Sequence, residues 1–212
     1  LHDALPICDF YDFTETRDGR YAMVVGDVTG KSVSGALVMA ASRSIFRMLS
    51  EEGESVRVLM RRANRRAKMD IKSGMFVALL YAVVDPETKT VSMCSAGQTQ
   101  PVHLVRRTGK AVLVQTVGDT FPLGILEEVN YEDTMLPLEP GDRVLFYTDG
   151  IVEAMNEAKE IFGFERLLAT LEQAIGYSAT EILEHLKNSV DEYVGEAKPH
   201  DDLTAIVLAV NP

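Results

Sequence analysis

Segments with strand character come in blocks along this chain of 212 residues, and pairs of helical segments separate the blocks. Short turn sequences such as RDGR and PETK join strands within a block, whereas parallel strands need long crossover connections. The order is strands, helix pair, many strands, helix pair and one last strand. It predicts an α+β fold of two mainly antiparallel sheets, an αββα sandwich with a helix pair on each outer face.

Apolar spacing of three and four residues predicts the helices. The helix over 34–51 is expected to face the core with a stripe that includes Leu37 and Met48. Ser178 and Glu181 stand at capping-box spacing where the last helix begins. The predicted strands cover 9–15, 20–28, 76–85, 90–96, 101–107, 111–116, 131–138, 142–148 and 203–210, and the predicted helices cover 34–51, 55–71, 162–175 and 178–194.

The charge balance argues against whole classes of function. The formal net charge is −11 and the pI is about 4.8, whereas a nucleic-acid-binding protein carries a basic surface. So acidic a chain binds phosphate groups only with the help of bound cations. No uninterrupted apolar run approaches about 20 residues, so no membrane span is predicted and a cytoplasmic location is expected.

The beginning of the chain and two residue types need separate interpretation. Residues 1–7 show neither capping nor turn signals and are interpreted as a non-native or truncated leader, which makes 8–212 the folded domain. Cys8 and Cys94 are far apart and outside any CxxC motif, so two reduced thiols are expected, with a disulfide as the alternative. His103 alternates with apolar neighbours and is expected to face solvent.

Four aspartates stand where apolar segments begin or end. They are Asp9, Asp27, Asp149 and Asp201. Carboxylates buried beside strand ends are costly unless cations neutralise them. Because no cluster of His or Cys accompanies these acids, the pattern predicts hard, oxygen-ligated ions such as Mg²⁺ or Mn²⁺. Two such ions activate water and hold a phosphoryl group, which indicates a metal-dependent phosphatase.

Strand direction predicts which of these acids meet. Asp149 ends one apolar strand and Asp201 precedes another, so both fall at one sheet edge if the two strands are antiparallel. Asp9 lies on the predicted hairpin partner of the strand that carries Asp27. One shared metal site at strand ends then becomes geometrically easy.

Six ordered motifs resemble one protein family over nearly the whole chain. They are CDFYDF…DGRYAMVVGDVTGKS, SAGQTQP, FPLGI, LEPGDRVLFYTDGIVEAMN, FGFERL and HDDLTAIVL. Together they are similar to the SpoIIE/RsbU-like branch of the metal-dependent (type 2C) serine/threonine phosphatases. The resemblance implies an αββα sandwich, in agreement with the order of strands and helices.

The resemblance also implies the site residues. By position, the metal-binding acids of the family match Asp9, Asp27, Asp149 and Asp201, and the main-chain carbonyl after the second acid belongs to Val28. It implies two Mn²⁺ or Mg²⁺ ions, which Asp27 bridges. These aspartates are the residues on which catalysis is expected to depend.

Two further positions qualify this assignment. Asp202 matches a supporting position, and the choice between Asp201 and Asp202 as direct ligand stays open. Eukaryotic type-2C relatives carry a His as general acid where this chain, like its bacterial branch, has Thr29. Leaving-group protonation is therefore assigned to water or to another group.

The resemblance implies hydrolysis of phosphoserine or phosphothreonine on a regulatory protein, an anti-sigma-factor antagonist of a bacterial partner-switching pathway. Upstream sensor domains are common in such proteins, and a sensor domain and a homodimer are both left open. The alternative is a pseudophosphatase that serves as a binding or regulatory module. Its expected mark is the loss of a metal-binding acid, and all four are present. A phosphatase for small phosphate esters is a third hypothesis.

A basic helix face stands out in this acidic chain. Two interpretations remain: a solvated face with ion pairs to neighbouring acids, or a docking face for an acidic partner, an upstream segment or a second protomer. The residues are Arg57, Arg61, Arg62, Arg65, Arg66 and Lys68.

Overall fold

A computed structural model of the chain describes residues 9–30, 33–71, 74–198 and 201–211. The predicted leader, residues 1–7, and Cys8 lie outside the described residues. The chain divides into two compact units, described in turn below. The first unit comprises Leu1–Gln98 and Thr116–Pro137, and the second comprises Thr99–Gln115 and Leu138–Pro212.

The first unit is a five-stranded antiparallel sheet with a helix pair, in the strand order β1-β2-β3-β4-β7. Strand β2 is almost wholly buried, and the helices pack on one face of the sheet around Val24, Phe46 and Met60. The elements are β1 (Asp9–Glu15), β2 (Tyr21–Val28), α1 (Val33–Ser50), α2 (Val56–Asp70), β3 (Val77–Asp85), β4 (Thr90–Ala96) and β7 (Thr134–Pro137).

The second unit is a four-stranded antiparallel sheet with its own helices, in the strand order β6-β5-β8-β9. Its core gathers around Leu145, Leu167 and Ile182. The predicted capping box forms, since the Ser178 hydroxyl accepts from the Glu181 N–H and the Glu181 carboxylate accepts from the Ser178 N–H. The elements are β5 (Val102–Val105), β6 (Lys110–Leu113), β8 (Arg143–Tyr147), α3 (Gly150–Glu153), α4 (Gly163–Gln173), α5 (Ala179–Val194) and β9 (Ala205–Ala209).

Every predicted strand and helix is present, but the buried face of α1 differs from the prediction. Leu37 and Met48 are 67% and 58% exposed, whereas Ser42, Phe46 and Ser50 are buried. The buried stripe is thus rotated by about one residue from the apolar one. Small and hydroxyl side chains can be buried there because the Ser50 hydroxyl donates to the Phe46 carbonyl and accepts from the Tyr81 hydroxyl.

Alternation along a strand also gave a wrong prediction for His103. Its ring is buried, and its Nε2 lies 2.9 Å from Oδ2 of Asp142. The Asp142 carboxylate also accepts the N–H groups of Arg106 and Glu139 at 2.9 and 3.0 Å. Burial alone would raise the pKa of Asp142, but the N–H groups of Glu139 and Arg106 and the His103 ring outweigh it and lower the pKa. A buried histidine is tolerated here because the carboxylate of Asp142, which directly precedes β8, is hydrogen-bonded to its ring.

We expect the substitution Asp142→Asn to lower the free energy of unfolding by about 2 kcal/mol, because an amide nitrogen cannot accept the bonds that the second oxygen accepts. The pKa of the Asp142 carboxyl is lower in the folded than in the unfolded chain. The stabilisation that ionised Asp142 provides is therefore complete above about pH 4, and it is lost as the pH falls through the folded-state pKa. Urea unfolding of wild type and variant at pH 7 and at pH 3 measures both effects.

Asp191→Asn is the matched control for this experiment. Asp191 is exposed and pairs with Lys187 one helical turn away, so its loss should change stability by about 0.5 kcal/mol or less. Equal effects of the two substitutions would contradict the role given to Asp142.

The basic face of α2 is largely engaged within the chain. Arg61 donates to the Tyr131 carbonyl and Lys68 donates to the carbonyls of Gly124 and Ile125. These contacts agree with a solvated face that carries intramolecular ion pairs, and docking of a partner there stays a prediction. The ion pairs are Arg57–Asp133, Arg62 with Glu52 and Glu54, and Arg66–Asp70.

Cys94 is a free, buried cysteine, and burial raises the pKa of its thiol to about 12. Such a thiol is protonated at neutral pH and has little nucleophilic character. Across the part of the chain that the structure describes, no helix combines the length and apolar character needed to cross a membrane.

Candidate metal centre

Two of the predicted acids face each other in the first unit. The register of β1 and β2 places Asp9 directly opposite Asp27. Side chains of directly opposed residues project from the same face of a sheet, and successive residues alternate between faces. Because Phe10, Val24 and the other even-numbered residues of this hairpin contact the helix side, Asp9 and Asp27 lie on the face away from α1 and α2.

The hydrogen bonds of Val77 fix the direction of the neighbouring peptide groups. Its N–H and carbonyl both bond to Leu123, at 3.2 and 2.9 Å, so its register partner Val28 makes no ladder bond to it. The peptide groups of Val28 therefore point to the other side, the side of β1. By the same alternation Asp9 and Asp27 form a non-hydrogen-bonded pair, the type in which Cα atoms lie about 4.5 Å apart and side chains are closest.

A glycine before Asp27 lets the sheet close around it. A Cβ atom built on Gly26 would lie 2.7 Å from the Leu79 Cβ and 2.9 Å from the Ala78 carbonyl oxygen. These distances are shorter than real Cβ contacts. The glycine of the GD sequence is thus required by packing, and it lets β2 pair with β3 up to the acid.

The other two acids lie at one end of the second unit's sheet. Strands β8 and β9 are antiparallel, with Tyr147 opposite Ala205, which is the condition for Asp149 and Asp201 to fall at one sheet edge. Asp149 follows β8 as the N-cap of α3, a single helical turn that the sequence did not predict, and its carboxylate does not cap that helix. Asp201 precedes β9 and lines a small cavity of about 60 Å³ together with Gly150 of α3.

Buried threonine bonds tie these two chain segments together. The Thr148 N–H donates to the Thr204 carbonyl at 3.0 Å, and the Thr148 hydroxyl accepts from the Thr204 N–H at 3.1 Å. The Thr99 hydroxyl of the SAGQTQP motif donates to the Tyr147 carbonyl at 2.6 Å. Sequence patterns singled out this motif but gave no role for it. Its described role is to hold the end of β8, two residues before Asp149.

Gly150 and the Asp201–Asp202 pair make the closest main-chain approach in this region. A Cβ atom on Gly150 would lie 2.0 Å from the carbonyl oxygen of Asp202. Asp201 Oδ1 accepts the Asp202 N–H at 3.0 Å. The choice between Asp201 and Asp202 as direct ligand is not decided by these contacts.

The donors fit hard divalent cations. All candidate ligands are carboxylate or carbonyl oxygens, the chemistry that Mg²⁺ and Mn²⁺ prefer. The acids come in two pairs, Asp9–Asp27 in the first unit and Asp149–Asp201 in the second. Within the described residues, no group of three or more His, Cys, Asp or Glu side chains is gathered closely enough to hold an ion.

Comparison with known proteins assigns the chain to a family. The sequence profile described as stage II sporulation protein E (SpoIIE) matches residues 17–211. The chain belongs to the SpoIIE family. Asp27, Asp149 and Asp201 fall inside the matched residues, and Asp9 falls before them.

Curated relatives of this SpoIIE-family chain are longer proteins. It is 27% identical to protein IcfG of Synechocystis sp. over 96% of its own length and 36% of that relative. It is 26% identical to the phosphoserine phosphatase RsbU of Bacillus subtilis over 94% of its own length and 58% of that relative. The chain therefore spans between about a third and three fifths of the length of these relatives.

Solved structures confirm the predicted fold class. The RsbU and RsbW domains of Rv1364c from Mycobacterium tuberculosis match 99% of this chain and 57% of theirs, with a TM-score of 0.80 and 23% identity. The SiaA-PP2C domain of Pseudomonas aeruginosa matches 95% of this chain and 79% of its own, with a TM-score of 0.81 and 22% identity. The chain thus has the α+β fold of PP2C (type 2C) phosphatase domains.

We expect Gly150→Ala to disturb the Asp149 region severely, because the added methyl group would overlap the Asp202 carbonyl. Overpacking of this kind costs about 1–3 kcal/mol or more. Thermal unfolding of the variant, together with Mn²⁺ titration by calorimetry, should show lower stability and weaker ion binding.

Gly109→Ala is the control, because a Cβ atom built on Gly109 would have no neighbour within 4 Å. Unlike Gly150, Gly109 has a left-handed φ, at +68°. There we expect a loss of about 1 kcal/mol from backbone strain and unchanged ion binding. If Gly150→Ala behaves like this control, the close approach to Asp202 is not a structural requirement.

Proposed function

We propose that this chain is a metal-dependent protein phosphatase that hydrolyses phosphoserine or phosphothreonine on a regulatory protein. The observation that carries the proposal is the Asp9–Asp27 pair, two carboxylates in direct register on the sheet face away from the helices. Two opposed like charges destabilise a strand pair, and a cation that both acids bind would offset that repulsion. Membership of the SpoIIE family supports the same chemistry.

The proposed ligands for two Mn²⁺ or Mg²⁺ ions are the carboxylates of Asp9, Asp27, Asp149 and Asp201 and the carbonyl of Val28. When bound, such ions lower the pKa of a water molecule and neutralise phosphoryl oxygens. The main-chain direction at Val28, toward the β1 side, favours its carbonyl as a ligand beside Asp9 and Asp27. Asp27 is the proposed bridging ligand, as the family resemblance implies.

Direct attack of water on phosphorus is favoured over a covalent enzyme intermediate. The Cys94 thiol is buried with a raised pKa, so it is a poor nucleophile. The His103 ring is buried and is hydrogen-bonded to the Asp142 carboxylate. Neither residue is placed to act as nucleophile or general base, which favours water as the attacking group.

The proposed substrate is a phosphorylated regulatory protein similar to an anti-sigma-factor antagonist, in a cytoplasmic partner-switching pathway. Support comes from relatives named as phosphoserine phosphatases, RsbU and RsbP of Bacillus subtilis. A sensor domain and a homodimer are compatible with this proposal. A pseudophosphatase is the second candidate, and its distinguishing property would be ion or protein binding without turnover.

Removal of metal tests the proposal directly. We expect the chain, after treatment with EDTA and dialysis, to hydrolyse neither p-nitrophenyl phosphate nor a phosphoserine peptide, and to regain both activities with added Mn²⁺ or Mg²⁺. Release of inorganic phosphate is the measurement. Full turnover in chelated buffer would refute the metal requirement, whereas ion binding without any turnover would favour the pseudophosphatase.

Replacement of Asp27 tests the bridging role. Asp27→Asn keeps the shape of the side chain but removes its charge, so we expect turnover to fall on the order of 10²-fold or more. Asp12→Asn is the matched control, because Asp12 lies on the opposite face of the same hairpin and pairs with Arg43 and Arg47. Its turnover should stay within about threefold of wild type. Similar losses in the two variants would contradict the assignment of Asp27.

A further inference from the structure

The main chain that follows Val28 is anchored by one hydroxyl group. The Thr29 N–H donates to the Phe76 carbonyl at 3.1 Å, and the Thr29 hydroxyl donates to the same carbonyl at 3.1 Å. The Phe76 N–H in turn donates to the Thr29 hydroxyl at 2.9 Å. The side chain therefore makes two of the three bonds that join these residues.

This arrangement ends the β2–β3 ladder in an unusual way. In a regular antiparallel pair the Phe76 N–H would donate to the carbonyl of Thr29, the next residue in register after Val28 and Val77. Here the hydroxyl takes the place of that carbonyl as acceptor. The chain can then turn away from β3 directly after Val28 while the Phe76 N–H keeps a partner.

The other side of the same β3 segment is equally fixed. Leu123 of the FPLGI motif forms main-chain hydrogen bonds with both the N–H and the carbonyl of Val77. The next residue, Gly124, donates its N–H to the buried side chain of Asn64 on α2. Thr29 is thus bonded to a rigid segment, and the position of Val28 beside it depends on that bond.

We propose that Thr29 is a positioning residue for the metal ligands, which fixes the Val28 carbonyl and the Asp27 main chain through its hydroxyl bonds to Phe76. The inference rests on the proposed function, because it concerns the ligands named there. The single hydroxyl proton is donated to the Phe76 carbonyl, so Thr29 does not take over the general-acid role that eukaryotic relatives give to a His at this position. Thr29 instead fixes the positions of the metal ligands Val28 and Asp27 before a substrate binds.

The test compares Thr29→Val, which keeps the shape of the side chain but loses the hydroxyl, with Thr29→Ser, which keeps the hydroxyl. Mn²⁺ dissociation constants are measured by calorimetry on metal-free protein, and kcat is measured at saturating Mn²⁺. We expect Thr29→Val to bind Mn²⁺ on the order of tenfold more weakly. We expect its kcat at saturation to stay within about threefold for both a phosphoserine peptide and p-nitrophenyl phosphate, and Thr29→Ser to restore the affinity.

Thr88→Val is the control, because Thr88 lies in an exposed turn of the same sheet, where its hydroxyl lies 2.8 Å from the Thr90 hydroxyl. It should leave Mn²⁺ affinity unchanged. If Thr29→Val does not fold, Thr29→Ala is measured in its place with the same expectation.

Three results would overturn the inference. One is an unchanged Mn²⁺ affinity in Thr29→Val, with or without a loss of thermal stability. The second is a fall in kcat at saturating metal for the phosphoserine peptide but not for p-nitrophenyl phosphate, which would indicate leaving-group protonation by Thr29. The third is failure of Thr29→Ser to restore affinity. Because ion binding is measured without turnover, an inactive wild type would refute the proposed function and leave this inference testable.

Discussion

The opposition of Asp9 and Asp27 across β1 and β2 is the constraint around which the first unit is built. Two carboxylates in a non-hydrogen-bonded pair repel each other at the shortest distance that an antiparallel sheet allows. The hairpin tolerates this because β2 is buried almost throughout and pairs on both sides. The stability of the strand thus comes from its apolar residues, and the acids occupy its end, where they can be exposed to an ion.

Close main-chain packing holds the acids in each unit. Gly26 lets Leu79 and Ala78 approach β2 directly before Asp27, and Gly150 lets the Asp202 carbonyl approach directly after Asp149. In both places a side chain as small as a methyl group would push the neighbouring strand or turn away. The glycines of the GD and DG sequences therefore serve the same physical purpose, although they stand on opposite sides of the acid.

Threonine hydroxyl groups provide the second means of support. Thr29 bonds to the main chain of Phe76, and Thr148 bonds to the main chain of Thr204, each next to a proposed ligand. Such bonds position a ligand without adding a charged group near it. No protein cation then competes with the metal ions for the carboxylates. Preorganised ligands of this kind lose little entropy when an ion binds, so the affinity depends on the supporting bonds as well as on the acids themselves.

The sequence by itself determined the order of strands and helices and their mainly antiparallel pairing, and it singled out the candidate acids. These follow from short-range periodicity, turn residues and motif order, which are properties of the chain alone. It failed for the buried face of α1 and for His103. In both cases polar groups are buried because distant residues, Tyr81 and Asp142, satisfy their hydrogen bonds. Only the tertiary structure decided the register that sets Asp9 opposite Asp27 and the contacts that require Gly26, Gly150 and Thr29, since each depends on which main-chain atoms lie across the sheet, and no local pattern encodes that.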